Sequence, residues 1–418
     1  MPRILLLFIA TSLFFNCFAQ PVCKDVLKFN RDKLYRNIVN NTITNNLSLQ
    51  LTDSTEENWQ DAFWAIQMVN YRTAWIDNTI HGAFNEIQKR SLSFQRSLIE
   101  IGFAIYPGVF MQQSKALLLQ ANDAKLFAMT ASYLLQSETT VPEKKFLQQV
   151  VSNRLSADTG NPILQQLSYQ VNGPVTKVPS IHTLLQKDYL PGKVLMISFQ
   201  RMNRDFPGLV MIRDTNGVFI KDHDSFFYVP QLARSITNMP GYITNGNTPE
   251  GIFRMDGFDV SKSSFIGPSR NIQLTMPFEF KASHFYDDIS MVDTIWDLEQ
   301  YEKLLPSNFS NYYPMFQSFL AGKAGRSEII AHGTTVDPRY YKDRQYYPLT
   351  PTQGCLCTKE IWNEKTGTLI DSDQLKLAAM IEKAGGAYGY SIVINIDDKQ
   401  EPVSLNDILP FIELAGQK

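Results

Sequence analysis

Residues from about 25 to 170 carry apolar side chains at helical spacing. Ser54 and Glu57 have the spacing of a capping box, and the apolar residues that follow recur every three or four positions. These residues are Trp59, Phe63, Ile66, Ile76, Ile80, Phe84 and Ile87. Further apolar helical segments cover 98–106, 116–135 and 146–151, with prolines between them. The pattern predicts a helical module over residues 20–178.

Beyond residue 193 the pattern changes to that of short strands. Apolar runs at 194–200 and 208–213 are followed by Thr215-Asn216-Gly217, whose Asn-Gly pair is typical of a hairpin turn. The last segments predict a helix over 372–384, a strand over 390–396 and a short helix over 405–414. We therefore expect an α+β multidomain chain. A helical module would precede a mainly β domain over 190–365, and 366–418 would form a helix-strand-helix extension.

The amino terminus has the pattern of a secretory signal peptide. Arg3 precedes an apolar run over 4–15, and small residues before Gln20 offer a cleavage site, so we assign residues 1–19 to the signal. Lipid attachment at Cys17 is the alternative, although Asn16 suits it poorly. No later segment has the roughly 18 consecutive apolar residues that a transmembrane helix needs. We expect an exported protein, periplasmic or associated with the cell envelope, without a transmembrane segment.

Composition narrows the class of protein further. The chain is 44% hydrophobic and 12% aromatic, which predicts folded cores rather than disorder. Its formal net charge of −2 argues against nucleic acid as a main partner, because a surface that follows phosphates is usually basic. We expect no nucleic-acid binding.

Three cysteines remain after the predicted cleavage: Cys23, Cys355 and Cys357. An oxidising compartment favours disulfides, and an odd number leaves at least one thiol free. That thiol is either an inert buried group or a nucleophile. The sequence around Cys355 favours the nucleophile.

Two segments carry candidate chemistry. One is Ile329-Ile330-Ala331-His332-Gly333-Thr334, and the other is Pro351-Thr352-Gln353-Gly354-Cys355-Leu356. A cysteine attacks a carbonyl as the thiolate, so it needs a base or a positive field nearby, and a histidine supplies this near neutral pH. A glycine before the nucleophile permits close backbone approach and leaves amides available for an oxyanion. A His-Gly or a Gly-Cys alone is more typical of a structural position.

The two segments together resemble the signature of the L,D-transpeptidase (YkuD-like) family. The upstream stretch Asn247-Thr248-Pro249-Glu250-Gly251-Ile252-Phe253-Arg254 is similar to that family's Thr-Pro-x-Gly-x-Phe segment and stands in the expected order. The resemblance covers about 191–362 and does not extend to the helical module.

The resemblance implies a small β-sandwich-like catalytic domain with a cleft over the cysteine. It implies acyl transfer on peptidoglycan stem peptides, with Cys355 as nucleophile and His332 as base and acid. Gly333 matches the position whose carbonyl orients the histidine, and amides near Gly354 and Cys355 would bind the oxyanion. No metal and no organic cofactor are implied.

The sequence departs from the family pattern at two positions. Gln353 stands where the family usually has histidine, and Cys357 stands where it has arginine. We expect an arginine from the 326–344 region to replace the missing charge, and the candidates are Arg326, Arg339 and Arg344. The residues predicted to contact substrate are Thr352, Gln353, Arg339, Arg344 and Tyr347. The Tyr-rich loop 336–351 would be either a lid or a solvated surface loop.

Several alternatives stay open at this point. The same Cys355 and His332 would serve an L,D-carboxypeptidase, and loss of activity would leave a protein that only binds cell-wall material. A zinc site of His332, Cys355 and Cys357 lacks a fourth ligand. A disulfide from Cys357 to Cys23 or to Cys355 would make the site redox-sensitive. The helical module would dock to the wall or to a partner protein, or serve neither.

Overall fold

The computed structural model describes residues 21–137, 140–174, 176–292 and 295–417. The predicted signal peptide at 1–19 and the alternative lipidation position Cys17 lie outside these residues. Among the described residues, no helix is both long enough and apolar enough to cross a lipid bilayer.

The amino-terminal region is helical, as the sequence predicts. Its helices are α1 Lys28–Asn37, the π-helix Ile38–Asn45, α2 Asn46–Ser48, α3 Glu56–Val69, α4 Ala74–Asn85, the 3-10 helix Ile87–Lys89, α5 Leu92–Ile105, α6 Met111–Gln120, α7 Ala124–Gln136, α8 Val141–Ala157 and α9 Pro162–Asn172. Residues 173–180 form no regular element where they are described.

One predicted helix cap is wrong. The N-cap of α3 is Thr55 rather than Ser54, and no side chain caps this helix. The Thr55 hydroxyl instead donates to the Gln50 carbonyl at 2.7 Å and accepts from the Thr52 amide at 2.9 Å. The capping-box spacing therefore lies in a turn that precedes the helix.

Eight strands form a closed barrel in the order β1-β12-β6-β7-β8-β9-β5-β2. The strands of the described residues are β1 Val194–Arg201, β2 Gly208–Arg213, β3 Lys221–Asp222, β4 Ser225–Phe226, β5 Tyr228–Leu232, β6 Gly251–Val260, β7 Arg270–Thr275, β8 Ile330–His332, β9 Leu356–Thr358, β10 Glu360–Trp362, β11 Leu369–Ser372 and β12 Tyr388–Asp397. The later helices are α10 His182–Leu185, α11 Ala282–Tyr286, α12 Leu298–Glu302, the 3-10 helices Ser307–Phe309 and Tyr313–Phe316, α13 Gln317–Lys323, the 3-10 helix Pro338–Tyr341, α14 Asp373–Ala384 and α15 Leu405–Leu414.

The carboxy-terminal segment is part of the barrel, which corrects the boundaries 190–365 and 366–418. Strand β12 lies between β1 and β6, with Val194 opposite Gly389 in a parallel ladder. Without β12 the sheet would have two open edges. Because the sheet closes on itself, the architecture is a barrel rather than the sandwich that the family resemblance implies.

The helical region and the barrel share one hydrophobic core. A single cluster of buried residues includes Phe63 and Leu98 from the helices and Val210, Ala331 and Leu356 from the strands. A second cluster fills the other side of β1 and β12 and contains Ile197, Ile252 and Ile392. The predicted split between a module over 20–178 and a separate β domain therefore does not correspond to separate cores.

Candidate active site

Strands β8 and β9 bring the predicted nucleophile and base to one face of the sheet. They are parallel, with Ala331 opposite Leu356 and His332 opposite Cys357. Side chains alternate along a strand, so Cys355 and His332 point to the face opposite that of Ala331 and Leu356. The core cluster holds Ala331 and Leu356, which leaves the Cys355 and His332 face for the cavities described below.

The Cys355 thiol lies beside the start of β8. Its Sγ donates to the Glu328 carbonyl at 3.7 Å. Burial raises the pKa of the thiol above its ordinary value, while the Ile330 amide and the charge of Arg326 act in the opposite direction. The side chain is partly exposed. In this structure Cys355 is therefore a protonated thiol at neutral pH, accessible from the cavities beside it.

The His332 ring is held by its neighbour. Nδ1 lies 2.5 Å from the Gly333 carbonyl oxygen, the contact that the family resemblance implies. Since a carbonyl only accepts, Nδ1 carries the proton and Nε2 has the free lone pair. Burial lowers the pKa of His332 to about 4, so the imidazole is neutral at neutral pH.

The turn before Cys355 is fixed by backbone contacts. Gly354 has φ +115°, which L side chains rarely adopt, and a Cβ added there would collide with the Arg326 guanidinium. The Thr352 hydroxyl accepts from the Gly354 amide at 3.0 Å and donates to the Cys355 carbonyl at 2.8 Å. Thr352 therefore shapes the turn, and it also lines the smaller cavity described below. The Gly354 amide is thus already engaged, and it is one of the amides near Gly354 and Cys355 that the family resemblance implies for the oxyanion.

Arg326 lies next to residues 352–355, the turn that carries Cys355 (the nucleophile turn). Its guanidinium donates to the carbonyls of Gly241, Gly246 at 2.7 Å and Asn247 at 2.8 Å. Burial lowers the pKa of Arg326 to about 10, which leaves it charged at neutral pH, and its charge acts on Cys355. Of the three arginines considered from the sequence, Arg326 is the one whose charge reaches the thiol.

The upstream motif also contacts the nucleophile turn. The Thr248 hydroxyl donates to the Gly354 carbonyl at 2.8 Å. Gly251 begins β6, and a side chain there would collide with Ser318 and Tyr301. The three sequence segments that carry the resemblance thus converge on one site.

Two cavities meet at Cys355. The larger, of about 840 Å³, is an open cleft whose lining includes Arg326 and four carboxylates. These carboxylates belong to Asp256, Asp259, Glu279 and Glu328. The smaller, of about 190 Å³, is lined by His332 and mostly by apolar side chains. Gln353 is exposed and lines both cavities, which suits its predicted contact with substrate.

Three predicted substrate contacts lie elsewhere, since Arg339, Arg344 and Tyr347 line neither cavity. Arg339 is paired with Asp337 and, at 3.1 Å, with Glu364. Arg344 donates to Asn70 Oδ1 at 2.8 Å. The Tyr-rich loop is packed rather than lid-like, because Tyr341 and Tyr346 are buried with Leu232 and Leu349. Arg339 and Arg344 therefore join the loop to its neighbours, while the buried Tyr341 also lines the smaller cavity.

The cysteines of the described chain are all free thiols. Cys23, Cys355 and Cys357 form no disulfide in the described chain. Burial raises the pKa of Cys357 to about 12, and its Sγ lies 3.9 Å from Thr350 Oγ1. No group of three or more His, Cys, Asp or Glu residues able to hold a metal occurs within the described ranges.

The sequence missed several residues of the site. Trp64 and Met68, from helix α3, line the smaller cavity beside His332. Glu360 packs behind Gly333, where an added Cβ would collide with its carboxyl, and burial raises the pKa of Glu360 to about 7. No local pattern marks these residues, because they reach the site only through tertiary packing.

Comparison of the chain with models of known protein families, with curated proteins and with solved structures finds no match.

Proposed function

We propose that this chain is an exported cysteine acyltransferase of the L,D-transpeptidase type, acting on peptidoglycan stem peptides through a thioester at Cys355. The observation that carries the proposal is the placement of Cys355 and His332 beside one cavity, with His332 Nδ1 bound to the Gly333 carbonyl. The sequence resemblance supplies the substrate class. The family usually has an arginine at the position of Cys357. In this proposal the buried charge of Arg326 performs the role of that arginine.

The proposed first half-reaction breaks a peptide C–N bond. His332 Nε2 takes the proton from the Cys355 thiol as Sγ forms a bond to the substrate carbonyl carbon. The C–N bond then breaks, and the leaving amine receives the proton held on His332. The product is a thioester on Cys355 and a free amino acid.

The second half-reaction is the reverse with a new amine. An acceptor amine attacks the thioester carbonyl, gives a proton to His332 and forms a new C–N bond. The C–S bond breaks and Sγ recovers the proton. If water replaces the amine, the same residues perform a hydrolysis, which is the carboxypeptidase alternative.

Incubation of the mature protein with purified stem tetrapeptide fragments tests the proposal. We expect a cross-linked dimer by mass spectrometry with wild type and none with Cys355→Ala. Release of D-alanine without a dimer would assign the carboxypeptidase reaction instead. No change in any fragment would contradict both reactions.

A further inference from the structure

Helix α3 of the amino-terminal region forms a wall of the smaller cavity beside His332. Trp64 and Met68 lie on this helix and line the cavity together with Cys355. Trp64 stands at an edge of Phe265, with ring centroids 6.3 Å apart, and is 38% exposed. A large aromatic side chain that is partly exposed beside a candidate nucleophile is positioned to contact a bound molecule.

Contacts across 273 residues of sequence hold α3 in this position. The buried Tyr341 hydroxyl donates to the Met68 carbonyl at 2.5 Å. Asn70, just after α3, accepts from Arg344. From α1, Arg31 donates to the Thr335 carbonyl at 2.9 Å. The segment that follows His332 is thus joined to the helices at several points, so the wall is a fixed part of the site.

The chemistry determines which part of a substrate enters the smaller cavity. In acyl transfer the leaving amine takes its proton from the general acid, which is His332 in the proposed reaction. His332 lines the smaller cavity and is absent from the lining of the larger cleft. The leaving residue therefore lies on the α3 side of Cys355, and the acyl part lies in the larger cleft.

The lining of the smaller cavity selects an apolar side chain. Its apolar members include Trp64, Met68, Ile236, Phe265, Val336 and Tyr341. Apart from Cys355 and His332, none of the described residues that line it carries an ionisable group other than the Tyr341 phenol. An apolar cavity of about 150 Å³ is known to hold a benzene molecule. The smaller cavity, at about 190 Å³, therefore accepts a leaving residue whose side chain is roughly as large as a benzene molecule.

We propose that helix α3 supplies a specificity subsite, in which Trp64 and Met68 bind the apolar side chain of the residue whose amine is displaced from the Cys355 acyl group. This inference rests on the proposed function. It gives part of the helical region a role in substrate selection. A charged side chain on the leaving residue is disfavoured there because it would lose water without gaining an oppositely charged partner among the described lining residues.

Three peptides that share one acyl part and end in D-alanine, D-leucine or D-lysine test the subsite. The rate of thioester formation on Cys355 is followed by intact-mass analysis for each peptide. We expect wild type to react faster with D-leucine than with D-lysine, and Trp64→Gln to lower this ratio about tenfold. Trp64→Phe keeps an apolar aromatic wall and should hold the ratio within about threefold of wild type.

Trp75→Gln is the matched control, because Trp75 is 44% exposed on α4 and lines neither cavity. Its ratio should equal that of wild type. A ratio unchanged in Trp64→Gln, or lowered equally in Trp75→Gln, would overturn the subsite while leaving the proposed function intact. Absence of any thioester in wild type would instead overturn the proposed function and this inference with it.

Discussion

At the scale of single residues, the thiol and the imidazole form a neutral pair at rest. Burial acts on both: it raises the pKa of Cys355 and lowers that of His332 to about 4. The sulfur donates to the Glu328 carbonyl rather than to the imidazole. We infer that the proton moves to His332 during attack on a substrate and not before it.

The neutral pair predicts a specific pH dependence of thiol alkylation. Because the thiolate is the reactive form and its pKa is raised, the alkylation rate of Cys355 by iodoacetamide should rise steadily from about pH 7 to beyond about pH 9. Peptide mass spectrometry identifies the modified cysteine. A fast plateau between about pH 5 and about pH 8, typical of a thiolate-imidazolium pair, would contradict this description.

Arg326 should act on the thiol through its charge. Arg326→Gln removes that charge, so the pKa of Cys355 should rise and alkylation at a fixed pH near 8 should slow by about threefold to tenfold. Arg326→Lys keeps the charge and should recover most of the rate, although a single ammonium replaces the three-carbonyl contact less well. Equal rates in wild type and Arg326→Gln on folded protein would rule out the electrostatic role.

At the residue scale, the sequence identified those candidate catalytic residues that lie within short local motifs. Cys355, His332, Gly333 and Gly354 are adjacent in two short segments, and the structure places them together. Arg339 and Arg344 were expected near the thiol only because they lie between those segments. Their contacts with Asp337 and Asn70 show that sequence position does not determine which arginine reaches the site.

At the scale of elements, periodicity predicted the regular segments well. Strand β2 and helix α15 have the bounds expected from the sequence, and α14 has Ser372 as its N-cap and Gly385 as its C-cap. What periodicity could not give was the pairing of strands far apart in the chain. The parallel β1–β12 ladder joins residues nearly 200 positions apart, and nothing in the pattern of either strand identifies its neighbour.

At this scale, the contact between helix α3 and the 3-10 helix Pro338–Tyr341 should stabilise the fold. Tyr341→Phe removes the hydrogen bond to the Met68 carbonyl, so unfolding free energy should fall by about 1 kcal/mol. Tyr347→Phe is the control, because Tyr347 is 47% exposed and should change stability little. Denaturant unfolding measures both variants. Equal unfolding free energies for Tyr341→Phe and Tyr347→Phe would show that the contact between Tyr341 and Met68 does not stabilise the fold.

At the scale of the whole molecule, the sequence predicted a helical region before a β region but not their common core. The pattern changes from helical spacing to short strands between residues 171 and 193, which favours a domain boundary there. Apolar periodicity shows that a segment buries one face but not which partner covers that face. In the structure, part of the helical face is covered by the barrel, as the shared cluster shows.

The shared core predicts that the β region does not fold alone. A chain that begins at residue 179 would expose the barrel side chains of the common cluster, so we expect it to aggregate or to lack a cooperative thermal transition. The mature protein should unfold in one transition. A soluble fragment from 179 onward with its own sharp transition would contradict the common core.

The central claim is that Cys355 is the catalytic nucleophile, and acylation by a carbapenem tests it most directly. The family resemblance implies that a carbapenem reacts with the catalytic thiol, because its carbonyl is similar to that of the acyl donor. Intact-mass analysis should show a single adduct on wild type and none on Cys355→Ala. No adduct on reduced, folded wild type, or the same adduct on Cys355→Ala, would contradict the assignment of Cys355 as the nucleophile.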